Sequence, residues 1–231
     1  MFTLQGVTKS YPSRRGVVHA LLDISLPIER GSFITVTGPS GSGKTTLLLT
    51  LGGLIRPTSG RVMFHGTDVG SLDERRLAEY RNRSVGFVLQ SFNLIPYLSA
   101  YENVMVPMSL AKRISTNGDH GQRARALLER LGLGDRMEHL PRELSVGQQQ
   151  RVAIARALSN DPEVILADEP TGNLDPALAR EILDILRDLN EREGRTVVVV
   201  THSPEAAKAG RQHIRLVDGG CAAEEPAPAL R

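Results

Sequence analysis

GPSGSGKTT, residues 38 to 46, decides how this 231-residue chain is read. It fits G-x-x-x-x-G-K-[ST] through Gly38, Gly43, Lys44 and Thr45, with Pro39, Ser40, Gly41 and Ser42 inside the loop and Thr46 after it. An apolar run, Phe33 to Thr37, precedes the motif and a helical run, Thr45 to Leu54, follows it, which is the strand-loop-helix context the motif requires. Glycines let the backbone curl so that successive N–H groups point inward, and the N-terminus of the next helix adds partial positive charge against phosphate oxygens. Lys44 is placed to reach the β- and γ-phosphates and the Thr45 hydroxyl to ligate Mg²⁺. The bland alternative is a flexible Gly/Ser turn, but a chance match in a chain of this length is on the order of one in a hundred.

Outward from the loop, Phe2 to Thr8 and Val17 to Ile28 alternate or run apolar with turn residues between them, which predicts an antiparallel pair. Strand-length apolar runs recur at Phe33 to Thr37, Arg61 to Phe64, Val85 to Leu89, Val164 to Ala167 and Thr196 to Val200. Leu178, Ile182, Ile185, Leu186 and Leu189 keep the three-and-four spacing of a helix with one buried face. The expected fold is α/β: a P-loop core with a mostly parallel sheet, an N-terminal antiparallel β part and an inserted α-helical subdomain. One domain is expected over 1–218, with 1–98 and 161–218 as the α/β core and 99–160 as the helical lobe, where Gln122 to Leu131 and Gly147 to Ser159 read as helices. Residues 219–231 lose periodicity and read as a flexible tail.

Asp168 and Glu169 end the buried run Val164 to Ala167, at the carboxyl edge of a parallel sheet where ligands bind. Asp168 is expected to hold Mg²⁺ and Glu169 to orient or deprotonate the attacking water. An acidic strand cap would be the better reading of the pair alone; beside a P-loop it is the weaker one. Gln90 and His202 end two further strand runs and would converge on the same edge near the γ-phosphate, although a lone Gln or His at a strand end is more often an ordinary hydrogen-bonding residue. Ser145 with Gln148 fits a capping box, and the same helix N-terminus, with Ser145 and Gly147, also suits an anion. Within one chain it is expected to lie too far from the P-loop to grip the same phosphate, so a second copy is implied.

Composition narrows the classes. The net charge of +2 and an aromatic content of 4% without Trp give neither a basic footprint nor base-stacking platforms, so nucleic acid is not an expected partner. No apolar stretch approaches the roughly 20 residues that cross a bilayer, so no direct membrane insertion is expected. The N-terminal MFTLQGVTKSYPSRR lacks a signal-type apolar region, and the single Cys221 excludes an internal disulfide, in keeping with a cytoplasmic location.

The ordered set GPSGSGKTT, Gln90, LSVGQ at 144 to 148, VILADE at 164 to 169 and His202 resembles the nucleotide-binding subunit of ABC transporters. The resemblance runs to about residue 218. It implies Tyr11 as the aromatic that stacks on adenine, Gly38 to Thr46 as Walker A, Gln90 as the Q-loop and Val164 to Glu169 as Walker B. It further implies Asn173, Leu174 and Asp175 as the D-loop, His202 as the switch histidine, and Mg²⁺ held by Thr45, Asp168 and Gln90. Asp175 before Pro176 equally fits a helix N-cap with proline at N1.

In that family two subunits pack head to tail with two ATPs between them, each gripped by one Walker A and the partner's Ser145, Gly147 and Gln148 equivalents. The usual LSGGQ reads with Val146 here, a β-branched side chain where glycine would permit close approach or positive φ. SFNLIPYLSAYENV at 91 to 104 resembles the stand-alone ATPases of macrolide and lipoprotein exporters. The function implied is an ATPase, peripheral on the inner face of the cell membrane, that dimerises with ATP and drives a separate permease. The apolar cluster around Phe92 and Tyr97 is expected to receive a permease helix. An alternative is a regulatory ATPase whose membrane partner moves no substrate; a DNA-repair ATPase would need long coiled-coil or clamp segments for which the chain has no room.

Overall fold

The computed structural model describes residues 1–14, 16–110 and 120–222. Alternating apolar side chains make β1 (Phe2–Ser13) and β2 (Gly16–Ile28) an antiparallel pair, with Phe2 opposite Ile28 and Tyr11 opposite Val18. β4 (Ser59–Phe64) pairs antiparallel with β1 after β3 (Phe33–Thr37) has passed into a second sheet, and β5 (Thr67–Asp68) extends the first layer. The run Arg61 to Phe64 therefore belongs to the antiparallel layer and not to the parallel core.

The second sheet holds β3 with β6 (Val85–Val88), β7 (Val164–Asp168), β8 (Thr196–Val200), β9 (Gln212–Val217) and β10 (Gly220–Ala222), in the order β10-β9-β3-β8-β7-β6. Pairing is parallel from β9 to β6 and antiparallel only at β10. All of β8 is buried, because both faces of the sheet are covered, and a strand buried on both sides reads as an unbroken apolar run. Val198 and Val200 face one core with Leu47, Leu48 and Leu51 of α1 (Lys44–Leu51) and Leu4 and Val7 of β1. The intervening Val197 and Val199 face the other, with Val152 of α5 (Val146–Leu158) and Ile182, Leu186 and Leu189 of α6 (Pro176–Glu191). Burying each of those three α6 side chains contributes about 1.5–3 kcal/mol.

Two of the longer helices escape the periodicity reading. α2 (Glu74–Ser84) buries only Leu77 and Tyr80 and is started by Asp73, whose carboxylate accepts from Arg76 N at 2.8 Å. α3 (Ala100–Leu110) carries Pro107 in its interior, yet a reciprocal capping box sets its start: Glu102 N donates to Ser99 Oγ (3.2 Å) and Ser99 N to Glu102 Oε2 (2.8 Å). With α4 (His120–Arg130) and α5, α3 joins α6 in the second core. A short α7 (Pro204–Ala207) leads into β9.

Residues 219–222, expected in the tail, are paired instead. β10 pairs with β9 from Gly220 to Ala222, and Leu22 N donates to Gly219 O at 2.8 Å, so backbone pairing holds a stretch whose side chains carry no period. The expected tail residues 223–231 lie outside the described residues. Among those described, no helix is long and apolar enough to cross a membrane.

Candidate nucleotide and metal site

The four adjacent parallel strands β3, β8, β7 and β6 end side by side, and each delivers a group picked out from the sequence. β3 runs into the loop 38–43 and Lys44, β8 into His202, β7 into Asp168 and Glu169, and β6 into Gln90. Adjacent strand ends in a parallel sheet share one edge, so residues more than a hundred positions apart in sequence become neighbours.

The loop is held by backbone contact. Gly43 is the N-cap of α1 at φ 100°, and a Cβ there would lie 2.0 Å from Ala20 O of β2. Gly38, at φ 146°, would meet Leu216 O of β9 at 2.1 Å. Between these two approaches the Ser42 hydroxyl is buried without a hydrogen-bond partner. Lys44, itself buried, donates from Nζ to Gly38 O (3.0 Å) and Pro39 O (2.9 Å). Burial lowers its pKa, and the carboxylates of Glu169 and Asp168 act in the opposite direction. A buried orphan hydroxyl and an ammonium at a helix N-terminus without a side-chain cap are the donor set a phosphate chain needs.

Thr45 Oγ1 donates to Asp168 Oδ1 at 3.2 Å, which ties the start of α1 to the end of β7. Burial raises the Asp168 pKa, the Thr45 bond opposes that rise and the neighbouring Glu169 charge adds to it. Among the described residues there is no cluster of three or more His, Cys, Asp or Glu able to hold a metal by itself. A hydroxyl and a carboxylate side by side nevertheless fit Mg²⁺, which binds through one or two protein oxygens and completes its shell with water and substrate phosphates.

Glu169 is in the left-handed region at φ 45°, and its own N–H bonds Val200 O of β8 at 2.9 Å. Its Oε2 accepts from His202 N at 3.1 Å, while Oε1 lies 3.6 Å from His202 Nε2 and is buried without a hydrogen bond. A strained carboxylate with one orphan oxygen, oriented by a histidine, is equipped to accept a proton from a water placed against it. The Gln90 side-chain amide sits beside Gly172, and the Gln90 backbone carbonyl accepts from Asn173 Nδ2 at 3.3 Å. Tyr11 is partly exposed on the hairpin, opposite Val18 and close along β2 to the Ala20 that abuts Gly43; Lys9 Nζ lies 5.1 Å from its ring centroid.

Ser145 and Gln148 form the reciprocal capping box at the start of α5, with Gln148 N to Ser145 Oγ at 3.3 Å and Ser145 N to Gln148 Oε1 at 2.9 Å. Val146 is the first residue of that helix, exposed and outside the positive-φ region, so the freedom a glycine would add is unused. Gly147 packs against Leu178, where a Cβ would come 3.0 Å from Cδ1. No hydrogen bond among the described residues joins Ser145, Gly147 or Gln148 to the P-loop. Asp175 caps α6 by accepting from Ala177 N and Leu178 N.

Sequence reasoning misses Gln150 and Asn103. Gln150, fully buried on α5, donates to Pro170 O at 2.8 Å and so links that helix to the residue after Glu169. Asn103 on α3 accepts from Ile95 N and donates to the carbonyls of Ile95, Leu98 and Ser99, bracing the segment after Gln90. Their signal is a polar side chain at an apolar position of a helix, visible only once the helix face is known. Phe92 and Tyr97 do not line the groove expected of them. The groove of ≈ 1210 Å³ lies between α2 and α3 and is walled by Leu54, Phe87, Leu89, Val106, Pro107 and Leu110, with Arg75, Arg81 and Arg156 at hand, while Tyr97 is 77% exposed.

Comparison with known proteins agrees with this geometry. The model of the ABC transporter family matches residues 21–172. The macrolide export ATP-binding/permease protein MacB of Syntrophobacter fumaroxidans is 49% identical over 219 residues, 95% of this chain and 31% of that protein. The lipoprotein-releasing system ATP-binding protein LolD of Syntrophus aciditrophicus is 46% identical over 219 residues, 95% of this chain and 97% of that one. The chain thus spans about a third of the first relative and nearly all of the second. A solved dimer of the ATP-binding cassette MJ0796 of Methanocaldococcus jannaschii, in a post-hydrolysis state bound to ADP and Pi, superposes with a TM-score of 0.91 at 43% identity, covering 100% of both chains.

Proposed function

Because the chain belongs to the ABC transporter family, we propose that it is the ATP-hydrolysing subunit that dimerises around two ATPs and drives a separate membrane permease. The permease would be of exporter or lipid and lipoprotein-release type, a reading supported by the likeness to MacB and LolD. The observation that carries the enzymatic part is the single sheet edge on which Lys44, Glu169, His202 and Gln90 meet beside the Thr45–Asp168 hydrogen bond.

Lys44 and the loop N–H groups would bind the β- and γ-phosphates, with the Ser42 hydroxyl as a further donor. Thr45 and Asp168, with Gln90 across the edge, would hold Mg²⁺, which when bound neutralises charge building on the phosphate oxygens. Glu169 would take the proton of the attacking water at Oε1, and His202 keeps that carboxylate turned inward through its backbone N–H. Tyr11 would stack on adenine. Ser145, Gly147 and Gln148 would close over the ATP of a second copy, since among the described residues they make no hydrogen bond to the P-loop. We assign residues 1–222 to one cassette with the helical lobe at 99–160, peripheral on the inner face of the membrane, and the groove between α2 and α3 to a permease helix.

The test is ATP hydrolysis by the purified chain followed by transport in vesicles carrying its permease. Absence of MgATP hydrolysis overturns the enzymatic part. Hydrolysis in vesicles without substrate-dependent transport, of macrolide, lipid or lipoprotein, would replace transport by the regulatory alternative.

A further inference from the structure

Arg156 joins the signature helix to the Gln90 loop. From the C-terminal part of α5 it donates through Nη1 to Asn93 O at 2.5 Å and through Nη2 to Phe92 O at 2.6 Å. Both of those residues stand in the left-handed region, Phe92 at φ 57° and Asn93 at φ 48°. Asparagine tolerates that region, whereas a bulky phenylalanine is held there only when its surroundings dictate it. The planar guanidinium fork addresses two neighbouring carbonyls at once, alongside the backbone bonds from Phe92 N to Leu89 O and from Asn93 N to Ser91 O. Val152, Ala153, Ile154 and Ala155 before it are all fully buried, so α5 is anchored in the core up to the residue that makes the clamp. Partial burial lowers the Arg156 pKa.

The other end of the same helix carries Ser145 and Gln148. Gln90 lies just before Phe92, its carbonyl bonded to Asn173, and Asn103 holds the chain from Ile95 onward. The loop therefore has two fixed points, one on α3 and one on α5. Arg156 also lines the groove between α2 and α3, so whatever enters that groove meets the clamp.

We propose that Arg156 is a positioning residue that makes Gln90 follow the setting of α5, so that the signature end offered to a partner's ATP and the sensor of the chain's own ATP move as one unit. This rests on the dimeric ATPase reading above. A loop freed from α5 leaves Gln90 displaced from the phosphate even when ATP is bound, and small misplacements of this kind cost turnover much more than binding.

The experiment uses the full chain with Arg156→Lys, which keeps the charge but not the fork, and Arg156→Met, which keeps the bulk without a buried charge. Expected are a fall in kcat of about ten- to a hundredfold, an ATP Kd within about twofold of wild type by titration, and a cooperative melt. In a Glu169→Gln background, MgATP should slow amide hydrogen exchange at residues 145–149 and 90–95 together, and in the Arg156→Lys double variant at 145–149 alone. A wild-type rate in either variant, joint protection in the double variant, or parallel loss of kcat and ATP binding overturns the clamp. So does failure of both variants to fold, which would make Arg156 a packing element. A wild-type chain that neither hydrolyses ATP nor dimerises overturns the dimeric ATPase reading along with it, whereas an active wild type with an unaffected Arg156→Lys overturns the clamp alone.

Discussion

The N-terminal ends of α1 and α5 are both anion-binding helix ends by composition, yet the fold treats them in opposite ways. At α1 the cap is Gly43, which offers no side chain, and the loop before it is held against β2 and β9 at Gly43 and Gly38 with the Ser42 hydroxyl unpartnered. At α5 the cap is complete, Ser145 and Gln148 satisfy one another, and Val146 stands in solvent. One end has free donors inside a preformed cradle. The other is stable by itself and exposed, which suits a surface that meets a ligand only when a second molecule carries it there.

The comparison breaks most sharply at the catalytic base beside the α1 end. Glu169→Gln should lower turnover by about 10²- to 10⁴-fold, the range for general-base removal, while ATP binding measured by thermal shift persists. In size-exclusion chromatography with MgATP this variant should run as a dimer. Unchanged hydrolysis would remove Glu169 from the role of base.

Next in size is the contrast between two glycines of one loop. Gly41 and Gly43 both have positive φ, but a Cβ on Gly41 meets nothing, whereas on Gly43 it strikes Ala20 O. Gly41→Ala should cost about 1 kcal/mol of backbone strain, and Gly43→Ala at least twice that, together with loss of ATP binding. Equal melting temperatures for the two variants would show that backbone contact with β2 does not form the cradle.

Ser145→Ala sharpens the other end. Loss of the cap should cost about 1 kcal/mol, near 2–4 °C in melting temperature for a chain of this size. Binding of ATP to the isolated chain should be unaffected, and dimer formation in the Glu169→Gln background should weaken. Weaker ATP binding by the monomer would place Ser145 in the chain's own site.

Smaller still is the cost carried by Asp168. Its pKa is raised by burial, so the stability it gives is full below the ordinary carboxylate value and is lost as pH rises through the raised value. Asp168→Asn should therefore raise the melting temperature of the ligand-free chain at pH 7, by roughly 1–3 °C, and lose that advantage on acidification below about pH 4. A gain that grows on acidification would contradict the sign. Smallest is Val146→Gly: an exposed helical position should leave hydrolysis within about twofold and cost no more than about 1 kcal/mol, as read from steady-state rates and melting. A large gain in rate would mean that valine obstructs the partner's nucleotide.

Much of the site is legible in the linear chain. The P-loop motif, the acids after an apolar run, the Ser145 box and the Asp175 cap are local patterns, and local patterns survive because their physics spans only a few residues. The two missed helices fail for equally local reasons: α2 is mostly charged, and Pro107 interrupts α3, although S-x-x-E at Ser99 to Glu102 marks its start. The expected docking residues are a different case. Phe92 and Tyr97 are the aromatics a linear reading picks out, but the groove is walled by side chains from α2, β6 and α3, which no stretch of sequence presents together.

The sequence by itself determined the chemistry at each strand end, because residue type and spacing set what a P-loop, a strand-terminal carboxylate or a capping box can do. Only the tertiary structure decided which of these ends meet. The order β3-β8-β7-β6 sets Lys44, His202, Glu169 and Gln90 along one edge, turns Glu169 Oε1 into a buried orphan, and gives the carbonyls of Phe92 and Asn93 to Arg156. Those are long-range pairings, set by how two cores pack on the faces of one sheet, and no local preference of the chain specifies them.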